Sequence, residues 1–284
     1  MSPRRNIALT AVAALLLTCR PSAQDAMRFA DESAHNLFVR SRAAVVQSGS
    51  VQQLRGLLMK GQLRQFTADG GLLEGEIEIR ALLPDYFIRI ESFGASKRIS
   101  GFAGKTLLTE MRDGNRVELP PENLTKPLLR LLHTHFTRLM LGAATYVTAD
   151  QELTFRSAGA TAEMVDPRVT ARAVQAGTAT SGAGAAVVTN ATPEPFAMDV
   201  MSESFGVRYL VDSITRVPLA LTFQGANKEP NTMKFEDRRA VSGFNLPYRI
   251  TVTSHDRAIE TIVFDEIVVN PEQSKADFRT DPKK

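Results

Sequence analysis

Four groups of residues in this 284-residue chain have side chains suited to chemistry. Ser254-His255-Asp256 holds the three residue types of a hydrolytic triad, and His133 and His135 are paired imidazoles. Glu74, Glu76 and Glu78 are alternating carboxylates, and Cys19 is the sole thiol. The first three fail a geometric requirement. Neighbouring residues on a strand point to opposite faces, so Ser254, His255 and Asp256 read as a turn rather than a hydrogen-bonded relay. Residues two apart on a helix lie about 200° apart around its axis, so His133 and His135 cannot share a metal and read as helix-surface or rim residues. The glutamates alternate with apolar residues, the pattern of a solvated strand face. There is no Gly-x-Ser-x-Gly, no His-Glu-x-x-His and no phosphate loop. The expectation is a protein with no catalytic residues, no metal and no cofactor. Asn123-Leu124-Thr125 and Asn190-Ala191-Thr192 fit the glycosylation pattern by chance.

The elements that would carry these residues are mostly strands. Glu74 to Glu91 reads as two strands joined at Pro84-Asp85. Glu76, Glu78, Arg80, Arg89 and Glu91 are placed on a wet face, and Ile77, Ile79, Ile88 and Ile90 on an apolar one. Further strands are expected over 58–67, 97–111, 152–164, 196–201, 205–212, 218–223, 233–241, 246–254 and 258–269. Asp69-Gly70-Gly71 and Asp113-Gly114-Asn115 are turns. Ala26 to Val46 has helical character. Glu122 to Gly142 is a stronger helix, with Leu124, Leu128, Leu132, Phe136 and Met140 in an i, i+4 row that Leu129, Leu131, Leu139 and Leu141 widen. Ala171 to Thr192, rich in Ala, Gly and Thr, reads as a flexible insertion. Short turns between regular strands predict a meander in a single α+β domain over 27–278.

The N-terminus is a targeting segment. Arg4 and Arg5 precede an apolar run, Ile7 to Leu17, that is too short to span a bilayer. Residues 1–23 read as a signal peptide cut after Ala23. The alternative is a lipoprotein signal, Leu16-Leu17-Thr18-Cys19, ending before an acylated Cys19. Removing 1–23 takes away Arg4, Arg5 and Arg20 and leaves 31 basic against 31 acidic residues, so the pI near 9.1 partly reflects the leader. No nucleic-acid partner is implied. With one cysteine no internal disulfide can form, and packing must supply stability.

Several stretches resemble the periplasmic lipoprotein-sorting factors and the outer-membrane lipoprotein-sorting-like proteins. They are the hairpin with its Leu82-Leu83-Pro84-Asp85 turn, the Val207–Phe223 pair, Val241-Ser242-Gly243-Phe244-Asn245-Leu246-Pro247, and Ile267-Val268-Val269-Asn270-Pro271 followed by Phe278. The resemblance implies a curved antiparallel meander forming an incomplete β-barrel. Helices cover its concave face, and the cavity between takes lipid acyl chains. It also implies a periplasmic location, with membrane contact only peripheral or, in the lipoprotein alternative, outer-membrane anchoring through Cys19. Leu128, Leu132, Phe136, Leu139 and Met140 on the helix and Ile77, Ile79, Ile88 and Ile90 on the hairpin are then the ligand-binding candidates. Met and Leu suit varied tails, and each buried CH₂ contributes about 0.8 kcal/mol. The expected role is a binder or carrier of a lipid, lipoprotein acyl chain or similar ligand. The alternative is a non-enzymatic envelope scaffold with a solid core and a protein partner.

Overall fold

A computed structural model of the protein describes residues 27–46, 54–67, 69–113, 116–118, 121–147, 152–158, 194–203, 205–225 and 228–279. The leader, Cys19 and the 171–192 insertion lie outside these residues. In chain order the elements are β1 (Met27–Phe29), α1 (Glu32–Val45), β2 (Gly56–Phe66), β3 (Leu72–Leu82), β4 (Tyr86–Phe93), β5 (Ser96–Ala103), β6 (Thr106–Asp113), β7 (Arg116–Glu118) and α2 (Thr125–Ala144). Seven strands follow: β8 (Leu153–Ala158), β9 (Phe196–Met201), β10 (Gly206–Val211), β11 (Pro218–Gln224), β12 (Pro230–Val241), β13 (Phe244–Ser254) and β14 (Arg257–Val269).

The fourteen strands among the described residues belong to one open sheet, ordered β1-β8-β9-β10-β11-β12-β13-β14-β2-β3-β4-β5-β6-β7. The meander is thus two runs, β2–β7 and β8–β14, fused where the last strand pairs antiparallel with β2. Every pairing is antiparallel except β1 with β8. The N-terminal segment read as wholly helical begins as this three-residue edge strand. The helix starts only at Asp31, whose side chain accepts a hydrogen bond from the Ala34 amide at 2.8 Å. Its other oxygen accepts from the Ser157 amide at 2.9 Å and ties the helix start to β8.

This strand order dictates where the helices go. After β7 the chain stands at one edge and must restart at β8, near the other. A connection of that kind crosses a face of the sheet. α2 makes the crossing, touching β5 and β6 on one side and β11 and β13 on the other. Twenty residues span about 30 Å, whereas the eight strand intervals from β6 to β11 span about 38 Å along the sheet. A straight helix reaches both sides only because the sheet curls around it. α1 makes the return crossing from β1 to β2, and its Ser41 hydroxyl meets the Tyr209 hydroxyl of β10 at 3.0 Å in the interior. The main core lies on this concave face: Phe38, Leu57, Met59, Ile77, Ile79, Phe87, Phe102, Phe136, Met140, Phe155 and Tyr209 form one buried cluster with their neighbours.

The β3–β4 hairpin corrects the sequence reading. Its loop has three residues, Leu83-Pro84-Asp85, and Leu82 pairs with Tyr86. A two-residue Pro-Asp turn would have paired Leu83 with Tyr86 and put all the charges together. One additional loop residue turns β4 over. Ile77 pairs with Glu91 and Ile79 with Arg89, whereas Glu78 pairs with Ile90 and Arg80 with Ile88. Arg89 and Glu91 therefore point into the concave face. Ile88 and Ile90 point out of the convex one, where Ile88 joins Ile99, Leu108 and Phe278 in a second apolar cluster with Ile90 packed against it. The convex wall is wet only in part.

Candidate functional site

α2 and the concave face beneath it form the candidate site. The two ends of the helix differ. From Thr134 to Ala144 almost every residue is buried, including Phe136, Leu139 and Met140. Phe136 packs between Phe87 and Phe102, with ring centroids 5.0 and 5.5 Å away. Gly142 lies so close to the sheet that a Cβ there would sit 2.0 Å from the Phe235 ring. Thr145 ends the helix in the left-handed conformation (φ 51°), its amide donating to the carbonyls of Leu141 and Met140.

Arg238 of β12 completes this end. Its guanidinium donates to the carbonyls of Gly142 (2.8 Å), Ala143 (3.2 Å), Asn245 (2.7 Å) and Pro218 (3.0 Å). Two of these are carbonyls that a helix C-terminus leaves without partners, and the cation sits at the negative end of the helix dipole. Burial lowers the Arg238 pKa to about 10, so it stays charged at neutral pH.

The N-terminal half is held loosely. Among residues 125–133 none is fully buried: Leu128, Leu129 and Leu132 are half-buried, and Leu131 is 58% exposed. Leu124, at the helix start, is 44% exposed and supplies no side-chain cap. There is no acid in the first turn to complement the dipole, and Lys126 and Arg130 lie toward its positive end.

Of the residues named from sequence, the structure brings Ile77, Ile79, Phe136, Leu139 and Met140 into one cluster, with Leu132 against its edge. Leu128 is half-buried on the same helix. Ile88 and Ile90 leave the set, because they face the convex side. In their place the concave face of β4 carries a buried ionic cluster. Arg89 forms a two-pronged bridge to Glu260 of β14 (3.2 and 2.5 Å) and donates to Glu91 at 2.7 Å. The Gln65 amide nitrogen donates to both carboxylates at 3.2 and 3.1 Å, and Arg98 donates to Glu91 at 3.1 Å. Burial works against the charge of Arg89, but Glu260 and Glu91 more than offset it and raise its pKa. Burial likewise opposes ionisation of Glu260, yet Arg89 pulls its pKa well below the carboxylate range. These charges satisfy one another, as buried charges must.

His135 of α2, partly buried, faces this cluster. Burial, reinforced by the Arg89 cation, depresses its pKa to about 4, so it is neutral at pH 7. His133 stacks on Phe102 with ring centroids 3.8 Å apart. Arg138 lies over the face of Phe223 at 3.9 Å, with Phe205 at 5.8 Å. Desolvation lowers its pKa to about 10, and no carboxylate offsets it. Ser254 ends β13, while His255 and Asp256 occupy the β13–β14 turn with φ of 48° and 60°; the His255 ring meets Glu229 at 3.1 Å. No relay forms there. Among the described residues no group of three or more His, Cys, Asp or Glu is placed to hold a metal, and no helix is long and apolar enough to cross a membrane.

No protein-family model matches the sequence, and no curated protein is similar to it at a significant level. Solved structures do share its fold. A LolA superfamily protein from Nitrosomonas europaea superposes with a TM-score of 0.51 at 9% identity, over 86% of this chain and 96% of the other. A DUF1329 family protein from Desulfovibrio piger gives 0.50 at 9% identity, over 87% and 96%. At such identity the likeness is one of fold: an open, curved antiparallel sheet with helices in its concavity.

Proposed function

We propose that this protein is a non-catalytic binder or carrier of a hydrophobic ligand in the cell envelope. A lipid or a lipoprotein acyl chain would be held between α2 and the concave face of the sheet. The observation that carries this reading is the asymmetry of α2. Its N-terminal half presents Leu128, Leu129, Leu131 and Leu132 incompletely buried, while its C-terminal half is fastened by Arg238 and Gly142. Lifting the N-terminal half frees leucines that are already partly wet and opens a path to the buried Ile77, Ile79, Phe87 and Phe102, which a bound tail would cover again. A tail entering there buries its own methylenes and the free leucine surface together, at about 0.8 kcal/mol per CH₂. Such a site needs no hydrogen bonds and no catalytic group.

The fold shared with a LolA superfamily protein, and the sequence resemblance to lipoprotein-sorting factors, support this reading. The leader supports export to the periplasm, with Cys19 as the anchor if it is acylated. Delipidated protein titrated with a neutral fluorescent amphiphile, N-phenyl-1-naphthylamine, tests the proposal. Saturable binding that weakens in the Leu128→Ser/Leu132→Ser double variant is expected; no binding overturns it. A second reading draws on the C-terminal half of α2, where the protein's own side chains fill the space. A scaffold with a solid core would bind no amphiphile and would co-purify with a protein partner.

A further inference from the structure

Arg138 is the one charged residue in the buried half of α2, and its surroundings are those of a site rather than a core. Two other arginines enclosed by the fold have an anion or carbonyl oxygens: Arg89 has Glu260 and Glu91, and Arg238 has four carbonyls. Arg138 has only aromatic rings. Its Nε is shut off from solvent and has no hydrogen-bond acceptor. Directly across from Phe223, Asn231 of β12 shares the same face, and its side-chain oxygen is likewise buried without a donor. A donor without an acceptor and an acceptor without a donor thus flank a single phenyl ring. Leaving buried polar groups unmatched costs stability, and partial burial of the Arg138 cation without a counter-ion adds to that. The cation–π contact recovers only part of that.

The side of α2 that leads to this pair runs from Leu131 past Thr134 and His135. Leu131 lies seven residues before Arg138, hence on nearly the same side of α2 and about 10 Å along it. It belongs to the loosely packed half. A molecule lying along this side would set an aliphatic portion against the leucines and a polar end between Arg138 and Asn231.

We propose that Arg138, Asn231 and the Phe223 and Phe205 rings form a head-group subsite for an anionic amphiphile, one whose tail enters beneath the N-terminal half of α2. The preferred ligand carries a phosphate or carboxylate oxygen for the guanidinium and a neighbouring hydroxyl or amide hydrogen for the Asn231 oxygen. The inference rests on the carrier reading above and adds the charge of the cargo to it.

Three monomeric amphiphiles with the same twelve-carbon tail separate the two. Lauroyl lysophosphatidylglycerol, uncharged monolaurin and cationic dodecyltrimethylammonium are each competed against N-phenyl-1-naphthylamine on the full exported chain, with inorganic phosphate as a tail-free control. The wild-type protein should bind the anionic lipid about tenfold or more tightly than monolaurin and the cationic amphiphile least well, as a charge-assisted contact predicts. Arg138→Gln should erase that preference and leave monolaurin affinity within about twofold. Arg138→Lys, a point charge in place of a planar fork, should retain part of it. The thermal midpoint of Arg138→Gln without ligand should be no lower than that of the wild type, because an unmatched cation has been removed; this also shows that the variant is folded. Equal affinity for the three amphiphiles in the wild type overturns the subsite and leaves the carrier reading standing. So does a preference that survives Arg138→Gln, or phosphate alone binding as well as the lipid. Failure of every amphiphile and of the neutral probe overturns both.

Discussion

The C-terminal half of α2 presses a glycine against Phe235, receives a buried guanidinium on its last carbonyls and sinks Phe136 and Met140 into the core. The N-terminal half of the same helix has no side-chain cap, two cations near its positive end and a row of half-wet leucines. Both halves have the same apolar stripe, so composition does not distinguish them. What distinguishes them is what reaches each from elsewhere. One end is met by β12, the other by nothing comparable. On the proposed carrier reading, this helix is a cover hinged at its more deeply buried end.

Substitutions that rank the two ends test that comparison. Phe136→Ala should cost about 4 kcal/mol, the scale for emptying a large buried aromatic. Leu132→Ala, one turn earlier, should cost about 1 kcal/mol because half of its surface is already wet. Chemical denaturation measures both, and equal losses would break the comparison. Arg238→Gln should cost about 3 kcal/mol by depriving four carbonyls of a charged donor. It should also raise hydrogen exchange in the last turns of α2 more than in the first.

Acid provides the next test. The folded His135 pKa, about 4, lies below its ordinary 6.5. Between those values the unfolded chain takes up a proton that the folded chain refuses. Stability is therefore complete above pH 6.5 and falls as the pH drops toward 4, by an amount on the order of 2 kcal/mol. His135→Gln should flatten that slope between pH 6.5 and 4.5. Glu260, whose pKa is lowered, adds its own loss as the pH falls through its ordinary value of 4.5 and below. The smallest effect belongs to the free end: Leu131→Ser should change stability by no more than about 0.5 kcal/mol while weakening amphiphile binding. A larger loss of stability would show that this half, too, is core.

Much of this was legible in the sequence. The i, i+4 row of α2 named Phe136 and Met140, and the strand runs recovered the meander to within a few residues. The β14–β2 pairing was not legible, because no local pattern links Ile267 to Met59. The hairpin parity was lost on one residue, since Pro84-Asp85 reads as a two-residue turn and Leu83 as the last strand position. That slip hid Arg89 and Glu91, whose alternation with Ile88 and Ile90 looks the same from either face. Strands covered on both sides carry no signal of which side is which. Arg238 and Arg138 each needed a partner from a distant element. For Arg138 a cue existed: it is the only charge between Thr134 and Ala144.

The fusion of first run to last has a consequence for synthesis. β2 is flanked on one side by β3, but its other neighbour, β14, is made only after every strand from β3 to β13. Until then the sheet is two ribbons with raw edges, and neither can surround α2. Long-range closure of this kind is slow and comes late. A chain that cannot finish folding before its last strand appears stays threadable along most of its length, the condition that passage through a narrow translocation pore demands.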